Sequence, residues 1–399
     1  ITQHFDRLSK RYGYKMKPPM SIIFNLGVDA VIGKDFEAAE KIFQYAIQEY
    51  PEDKQSYLGM GVVRRNQGQN DSAKALFEKS LQIDPDYPLA KSWLQSLRRS
   101  NLALLSSKIP TDTPLVFAPD IISIDDYYSA SITFNPDITE LFLNHRKEGK
   151  NYNIYTSKLI NGKWSELELA PFSTNLEDLD FHPRFNFKGD RLYFGSTRPI
   201  PNTFTTSNTH RRLHQWYVEK NGNGDWGAPV LMGEPFVDSY IMGAVPSENG
   251  NLYFTSGTRV GADDEGIYYA LNQNGKYTAI EKMDDMINSN GRFIAHPYIA
   301  PDESYLIYDS EKATEPDNND LFISFNNNGT WSQSYPLGPK INTELSEGAA
   351  TVSPDGKFLF FRRSEKKVRE DGTTYHMTKL YWVDFISLKN KILENAKIQ

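Results

Sequence analysis

The hydrophobic pattern changes once along this chain, from a helical spacing to short strands. Between residues 20 and 105, small and apolar residues recur three or four positions apart, as they do on one face of a helix. From Leu115 onward, short apolar runs rich in aromatic residues alternate with turn residues such as Asn-Gly and Asp-Gly. The pattern predicts a helical domain at residues 20–105 and an all-β domain at residues 115–390. A linker with two prolines is expected between them at residues 106–114.

The helical region contains an internal repeat. Pro51 and Pro85 each close a pair of predicted helices and lie 34 residues apart, which is the period of the tetratricopeptide repeat. Equivalent positions carry small residues where helices would touch and an aromatic residue between them: Gly27 and Gly61, Ala39 and Ala73, Phe43 and Phe77. The region resembles the tetratricopeptide repeat family. Two repeats leave apolar surface open, so a further helix from about Tyr87 to Leu105 is expected to cover it.

The resemblance implies a groove that binds a protein or peptide partner, as in that family. The residues predicted to contact the partner are Asn25, Asp29, Tyr57 and Arg64. The alternative is a helical cap that packs against the rest of the chain. Residues 1–19 are polar, end in two prolines and are expected to be a lead-in segment.

The β region repeats one four-strand pattern five times. An inner strand leads through a Pro-Asp or Gly turn to an apolar strand, then to an aromatic-rich strand, an Asn-Gly turn and an outer strand. Such units at roughly 50 to 60 residues are typical of β-propeller blades. Five blades are predicted, with six as the alternative. The repeats begin near Tyr128, Leu179, Tyr240, Phe293 and Ser346.

The fifth repeat lacks an outer strand of its own. After Phe385 the chain is polar and rich in lysine, and residues 391–399 are expected to form a tail. The segment from Leu115 to Pro119 is similar to the outer strands of other repeats, so we predict that it completes the fifth blade and closes the ring.

The blades resemble the WD40-like propeller repeats of the TolB type, most closely at residues 353–361, where Ser-Pro-Asp-Gly-Lys precedes an aromatic strand. Tetratricopeptide repeats followed by such a propeller resemble proteins of the Gram-negative cell envelope. The resemblance implies a periplasmic or envelope-associated location, and a cytoplasmic one stays open.

Composition excludes several classes of function. The chain has 44 Lys and Arg against 51 Asp and Glu, a formal net charge of -7, which argues against nucleic acid or an anionic membrane surface as a partner. It has no cysteine, which excludes disulfides and thiolate chemistry. No apolar run is long enough for a transmembrane span. No phosphate-binding loop or nucleophile-elbow motif occurs, so no cofactor is predicted.

The candidate site is the central channel, because the inner strands of a propeller line it. Aligning the repeats places Ser131, His182, Met242, His296 and Ala349 in one ring. Strand alternation is expected to bring residues two positions before and after to the same side. The predicted channel residues are Asp180, His182, Arg184, Tyr240, His296, Tyr298 and Glu347.

Three interpretations of these residues are open. In the first, they form a hydrogen-bonded structural lining. In the second, they bind a small polar ligand or a peptide terminus, with Arg184 holding a carboxylate. In the third, Asp180, His182, His296 and Glu347 catalyse. No metal site is predicted, although two histidines and two carboxylates are suitable ligands.

Other features of the propeller are also candidates. Five arginines follow the second strands: Arg146, Arg198, Arg259, Arg362 and Arg363. They are expected to lie around the rim of one face of the propeller. The alternative is that they are solvent-exposed charges in turns. An insertion between Pro199 and Leu213 is expected to overhang the channel.

The function that these patterns favour is non-enzymatic recognition of a protein or peptide in the bacterial envelope, through the helical array and the propeller face. One alternative is a propeller hydrolase or lyase that acts on carbohydrate. Another is a structural component of an envelope assembly.

Overall fold

The computed structural model describes residues 2–119, 121–124, 127–147, 149–201, 213–258, 262–312 and 315–396. Most of the insertion predicted between Pro199 and Leu213, and Arg259 among the rim arginines, lie outside these ranges. The chain divides into two compact units, Ile1–Ser100 and Asn101–Gln399. The domain boundaries inferred from the sequence, including the linker at residues 106–114, stay predictions.

The first unit is a row of helices: α1 Thr2–Tyr12, α2 Met20–Ile32, α3 Phe36–Glu49, α4 Lys54–Asn66, α5 Asn70–Ile83 and α6 Pro88–Ala103. Helix α1 occupies most of the segment that was expected to be a lead-in. Its apolar residues Phe5, Leu8 and Tyr12 have helical spacing. Helix α1 begins 34 residues before α3, so it is in register with the second helices of the repeats.

Glycines allow the paired helices to approach each other closely. A Cβ atom at Gly27 of α2 would lie 2.5 Å from the ring of Phe43, and one at Gly59 of α4 would lie 2.1 Å from it. One period later, a Cβ atom at Gly61 would lie 2.4 Å from Phe77. Each phenylalanine is fully buried in its repeat, which confirms that the recurring small and aromatic positions are helix contacts.

The second unit is a propeller of five antiparallel sheets. The first blade has β2 Tyr127–Phe134, β3 Glu140–Lys147, β4 Asn153–Ile160, β5 Lys163–Trp164 and β6 Glu168–Leu169. The second has β7 Asp180–Phe185, β8 Arg191–Ser196, β9 His214–Glu219 and β10 Val230–Leu231. The third has β11 Tyr240–Pro246, β12 Leu252–Gly257, β13 Gly266–Ala270 and β14 Glu281–Lys282, and the short helix α7 Asp285–Asn288 follows it.

The fourth blade has β15 Arg292–Ile299, β16 Tyr305–Lys312, β17 Glu315–Asn327, β18 Thr330–Trp331 and β19 Tyr335–Pro336. The fifth has β20 Ser346–Val352, β21 Phe358–Val368 and β22 Thr374–Asp384, with β1 Leu115–Val116 on its outer edge.

The ring closes as the sequence predicted. Strand β1 pairs antiparallel with β22, with Leu115 opposite Trp382, and the Phe117 amide donates to the Leu380 carbonyl at 2.8 Å. The inner strands β2, β7, β11, β15 and β20 contact one another in cyclic order, which confirms five blades and not six. A helix, α8 Phe385–Ala396, stands where a polar tail was expected, and it buries Phe385 and Ile392.

Every inner strand has a register shift at the same place. In four blades a residue at this bulge has a positive φ: His182 (53°), Gly243 (67°), His296 (50°) and Ala349 (52°). The third blade therefore contributes Gly243 to the ring and not Met242. Tyr240 is also one position early, because the third repeat was aligned one residue out of step with the others. Ile241 holds the place that Asp180 and Glu347 have in their blades.

Because of the bulge, the side chains of the inner strands do not alternate between faces as expected from the sequence. Asp180 pairs with Ser196 of β8, whereas Arg184 pairs with Tyr193, three residues away in the same strand. Residues three apart in a strand point to opposite faces of the sheet. The expectation that residues before and after the ring position share one side is therefore wrong.

Candidate functional site

The two channel histidines meet, although they come from blades that are not neighbours. The rings of His182 on β7 and His296 on β15 stack with centroids 4.6 Å apart at an interplanar angle of 29°. The ring positions of the other blades hold the small residues Ser131, Gly243 and Ala349. A Cβ atom at Gly243 would lie 3.3 Å from the His182 side chain. The small residues thus leave room for two imidazoles that fill the middle of the ring.

Asp309 anchors this pair and was missed from the sequence. Its carboxylate lies 2.8 and 3.0 Å from Nδ1 of His296 and accepts hydrogen bonds from Asn319 Nδ2 and the Ala349 amide, both at 2.9 Å. Burial alone would raise the pKa of Asp309, but His296, Arg362 and these hydrogen bonds hold the pKa below its ordinary value. The available signal was an acidic residue inside the apolar strand β16.

His182 is a packing group in this arrangement. Burial, followed by electrostatic interactions with His296, Arg184 and Arg362, lowers the pKa of His182 well below its ordinary value. The imidazole is therefore neutral at physiological pH. The His182 amide donates to Oδ1 of Asn144 at 2.6 Å, so the bulge is held by the preceding blade.

The same inter-blade hydrogen bond recurs at other bulges. The His296 amide donates to Thr255 Oγ1, and the Ala349 amide donates to Asp309, in both cases from one blade to the second strand of the blade before it. Asn144, Thr255 and Asp309 hold equivalent places in their blades. The polar residues of the channel thus serve the alignment of neighbouring blades.

Arg184 is buried, and its guanidinium donates hydrogen bonds to main-chain carbonyl oxygens. Nη1 donates to the carbonyls of Pro183 at 3.1 Å and Ile132 at 3.4 Å, and Nη2 donates to that of Ala350 at 3.4 Å. Arg184 thereby joins the second blade to the first and the fifth. Burial lowers its pKa to about 10, and burial raises the pKa of its neighbour Tyr298. This geometry gives no support to Arg184 as the residue that holds a ligand carboxylate.

The two carboxylates of the proposed catalytic group are held apart in separate ion pairs. Asp180 accepts from Arg198 Nη2 at 2.8 and 2.9 Å and from Ser173 Oγ at 2.7 Å. Glu347 accepts from Arg363 Nε at 2.7 Å and from Thr343 Oγ1 at 2.6 Å. Of the four proposed catalytic residues, the structure brings together the histidines alone.

Tyr240 lies with apolar side chains between the second and fourth blades. It packs with Met242 and Ala295, its hydroxyl lies 3.4 Å from the Met242 sulfur, and burial raises its pKa. Within the described ranges, no three His, Asp or Glu side chains are placed to hold a metal ion.

An open pocket lies directly beyond the filled ring, on the end of the propeller where the inner strands begin. It has a volume of about 790 Å³ and is lined by the first, third, fourth and fifth blades. Its walls include Arg146, Tyr152, Arg292 and Arg362, and Asn319 connects it to Asp309. We call it the end-face pocket. The sequence placed Arg146 and Arg362 on a rim but did not indicate a cavity.

The predicted partner residues of the helical unit lie on two helices. Asn25 and Asp29 on α2 are exposed, and Tyr57 on α4 is half-buried. Arg64 binds both carboxylate oxygens of Glu40, at 2.7 and 3.1 Å, so its charge is already paired within the unit. Their contact with a partner stays a prediction.

Comparisons with known proteins cover the two units separately. A family model, Tetratricopeptide repeat, matches residues 31–97. A DnaJ homolog subfamily C member 7 homolog of Schizosaccharomyces pombe is 28% identical over 94 residues, which are 24% of this chain and 20% of that protein. The chain thus spans about a fifth of the length of this relative.

Solved structures are similar at lower levels of identity. TolB from Acinetobacter baumannii is 18% identical, with 64% of this chain and 57% of that chain covered and a TM-score of 0.38. A Dyadobacter fermentans protein of unknown function is 14% identical over 66% of this chain and 85% of its own, with a TM-score of 0.38. A xyloglucan-locus GH43B protein of Bacteroides ovatus is 13% identical over 69% and 53%, with a TM-score of 0.39.

These TM-scores are too low to support an argument about activity, so the propeller is assigned from its strand pairing. In the part of the chain that the structure describes, no helix is both long and apolar enough to cross a membrane. The chain therefore combines tetratricopeptide repeats, matched at residues 31–97, with a five-bladed β-propeller.

Proposed function

We propose that this chain is a recognition protein without enzymatic activity, which binds a protein or peptide partner in the bacterial cell envelope. The observation that supports the proposal is the tetratricopeptide array, matched at residues 31–97 and built from helices α2 to α6. Stacked helical repeats of this kind present extended binding surfaces for other chains. The envelope location rests only on the resemblance of tetratricopeptide repeats followed by a TolB-type propeller to proteins of the Gram-negative envelope.

The channel geometry supports the non-enzymatic part of the proposal. A general acid or base must reach the proton it transfers and needs a pKa near the working pH. Asp180 and Glu347 are each bound to an arginine, and the pKa of the buried His182 is far below its ordinary value. The propeller would then contribute its end face as a second binding surface.

Selection from a displayed peptide library tests the helical surface. Peptides selected on the full chain are measured by fluorescence anisotropy against the wild type and the Asn25→Ala, Asp29→Ala double variant. We expect the double variant to bind at least about tenfold more weakly, which corresponds to about 1.4 kcal/mol. The matched control is Glu37→Ala on α3, which is also exposed and should bind like the wild type. Equal binding by all three proteins would contradict the proposed surface.

Two further measurements test the remaining parts. Release of sugar from a panel of oligosaccharides, abolished by Glu347→Gln, would refute the absence of enzymatic activity. Fractionation of the source cells should recover the protein with the envelope, and recovery with the cytosol would refute the location.

A further inference from the structure

The end-face pocket has an excess of positive charge. Seven charged side chains line it: Arg146, Lys282, Arg292 and Arg362, and Asp263, Glu265 and Glu311. The cations exceed the acids by one. Part of this charge is paired locally, since Arg292 Nε lies 3.9 Å from Glu311. The pocket volume of about 790 Å³ is within the range of sites for small ligands.

Two of the cations have a hydrogen-bonding atom without a partner. The Nε atoms of Arg146 and Arg362 are buried, and neither has a hydrogen-bond acceptor among the described residues. A buried donor without an acceptor destabilises the folded protein, so native structures rarely leave one unpaired without a ligand, ion or water. Both arginines line the same pocket, from the neighbouring first and fifth blades.

The guanidinium of Arg146 is held in place before any ligand binds. It lies 4.5 Å from the ring centre of Tyr152 and 5.4 Å from that of Tyr128, and it makes one long hydrogen bond of 3.4 Å to the Lys150 carbonyl. Aromatic faces attract a guanidinium without using its N–H donors. Apart from the Nη1 donor bound to Lys150, the donors of Arg146 thus stay available for an acceptor in the pocket.

Arg362 lies near the buried carboxylate of Asp309 at the centre of the ring. A Cβ atom at Gly348 would lie 3.0 Å from Arg362 Nε and 2.9 Å from Asp309 Oδ2, so both groups crowd the same glycine. Asp309 is occupied by His296, Asn319 and the Ala349 amide. Arg362 therefore has a negative charge nearby while its Nε lacks an acceptor.

We propose that the end-face pocket binds a ligand through a carboxylate group held by Arg146 and Arg362. A guanidinium matches the planar fork of a carboxylate with paired N–H donors. An excess of one cation suits a monoanion better than the dianion of a phosphate monoester. The site belongs to the propeller and is independent of the peptide surface proposed on the helices.

A carboxylate of this kind has two sources, a small organic acid or the free C-terminus of a peptide. The probes are butyrate, benzoate and the tripeptide Ala-Ala-Ala, each paired with its amide. Phenyl phosphate is included as the competing anion. Binding to the full chain is measured by isothermal titration at low salt, because exposed charges are screened at high salt.

We expect at least one acid to bind and its amide not to bind. Arg146→Gln and Arg362→Gln should each weaken binding at least about tenfold. Arg362→Lys keeps the charge but loses the planar fork, so it should also weaken binding. The matched control is Arg191→Gln in the second blade, whose guanidinium pairs with Glu219 outside the pocket and which should change affinity less than about threefold. Binding of the tripeptide but not of the organic acids would identify the ligand as a chain terminus.

Several results would overturn the proposal. One is the absence of binding tighter than about 1 mM by every carboxylate probe. Equal affinity for the amides, or an equal loss in Arg191→Gln, would show that the two arginines do not select a carboxylate. Tighter binding of phenyl phosphate would assign the pocket to a different anion. Circular dichroism of each variant shows whether a lost affinity reflects a lost fold.

Discussion

The imidazole of His182 stacks on that of His296 with 4.6 Å between ring centroids, although these residues belong to the second and fourth blades. Gly243 of the intervening blade has no side chain to separate them. His296 in turn binds Asp309, and Asp309 accepts the Ala349 amide of the fifth blade. One chain of contacts thus joins three of the five blades at the centre of the ring.

The two histidines should differ in their importance for stability. His296→Ala leaves the carboxylate of Asp309 buried without its ring partner, so it should lower the free energy of unfolding by about 3 kcal/mol. His182→Phe keeps an aromatic ring of similar width in the stack and removes a group that is neutral when folded, so it should cost less than about 1.5 kcal/mol. Chemical denaturation followed by tryptophan fluorescence measures both values.

The double variant His296→Ala, Asp309→Asn provides the control for this asymmetry. Removing the buried charge together with its partner should recover part of the lost stability, because the remaining amide carries no charge to desolvate. Equal losses in His182→Phe and His296→Ala would show that the bond to Asp309 does not give His296 a greater contribution to stability than His182 has.

The blades could be predicted from the sequence because turns and apolar strands are local features. Ser353-Pro-Asp-Gly forms its turn from residues that are adjacent in the chain, and the likeness of Leu115–Pro119 to an outer strand was enough to predict ring closure. The candidate site could not be predicted in the same way. A single-residue bulge reverses which side chains share a face, and alternation of apolar and polar residues does not reveal it.

The outcomes for individual residues illustrate this limit. Asp180 and Glu347 were expected to converge in the channel, but each faces its own arginine because both precede the bulge. Asp309 was not considered because it lies on a second strand, yet it is the acceptor at the centre of the ring. The meeting of His182 with His296 depends on three small residues in other blades, a relationship between positions far apart in the chain.

Stability should fall with acidification between about pH 6.5 and pH 4. Burial lowers the pKa of His145 from its ordinary 6.5 to about 4, so in this window the unfolded chain binds a proton that the folded protein does not. The free energy of unfolding therefore decreases as pH decreases, by about 3 kcal/mol for a shift of this size. Burial of His182 acts in the same direction.

The variant His145→Gln tests this dependence. It cannot bind the proton in either state, so its stability should decline less than that of the wild type between pH 6.5 and pH 4. His376→Gln replaces an exposed histidine of the same unit and is the matched control, which should keep the wild-type decline. Denaturant unfolding at a series of pH values gives both curves. Parallel curves for the wild type and His145→Gln would rule out His145 as a source of the pH dependence.

The buried ion pair of the second blade should contribute far more to stability than an exposed pair. Arg198→Met leaves Asp180, which is 1% exposed, without a countercharge, so we expect a loss of about 3–5 kcal/mol. Lys367→Met breaks the pair with Glu365, whose side chains are 38% and 39% exposed, and should cost less than about 1 kcal/mol. Urea denaturation compares the two variants.

Adding Asp180→Asn to Arg198→Met should restore part of the stability lost in the single variant. No recovery would mean that Arg198 acts mainly through its packing on Phe194 and Trp216, whose ring centres lie 5.0 and 5.3 Å from its guanidinium.

Closure of the ring should depend on Phe117, which follows strand β1. Its ring is fully buried and lies 4.9 Å from that of Phe360 and 5.2 Å from that of Trp382, between centroids. Phe117→Ala should therefore lower the free energy of unfolding by about 3–5 kcal/mol, through lost apolar contacts and the cavity that remains.

The strands in which amide exchange increases distinguish a loss of ring closure from a general loss of packing. Amide exchange measured by mass spectrometry should rise first in β22, which pairs with β1, and in β2 of the first blade, which contacts β22. The matched control, Phe187→Ala, removes a ring that is 49% exposed and should leave exchange in both strands unchanged. If Phe117→Ala raised exchange equally in all five blades, β1 would be one packing element among many and not the segment that holds the ring closed.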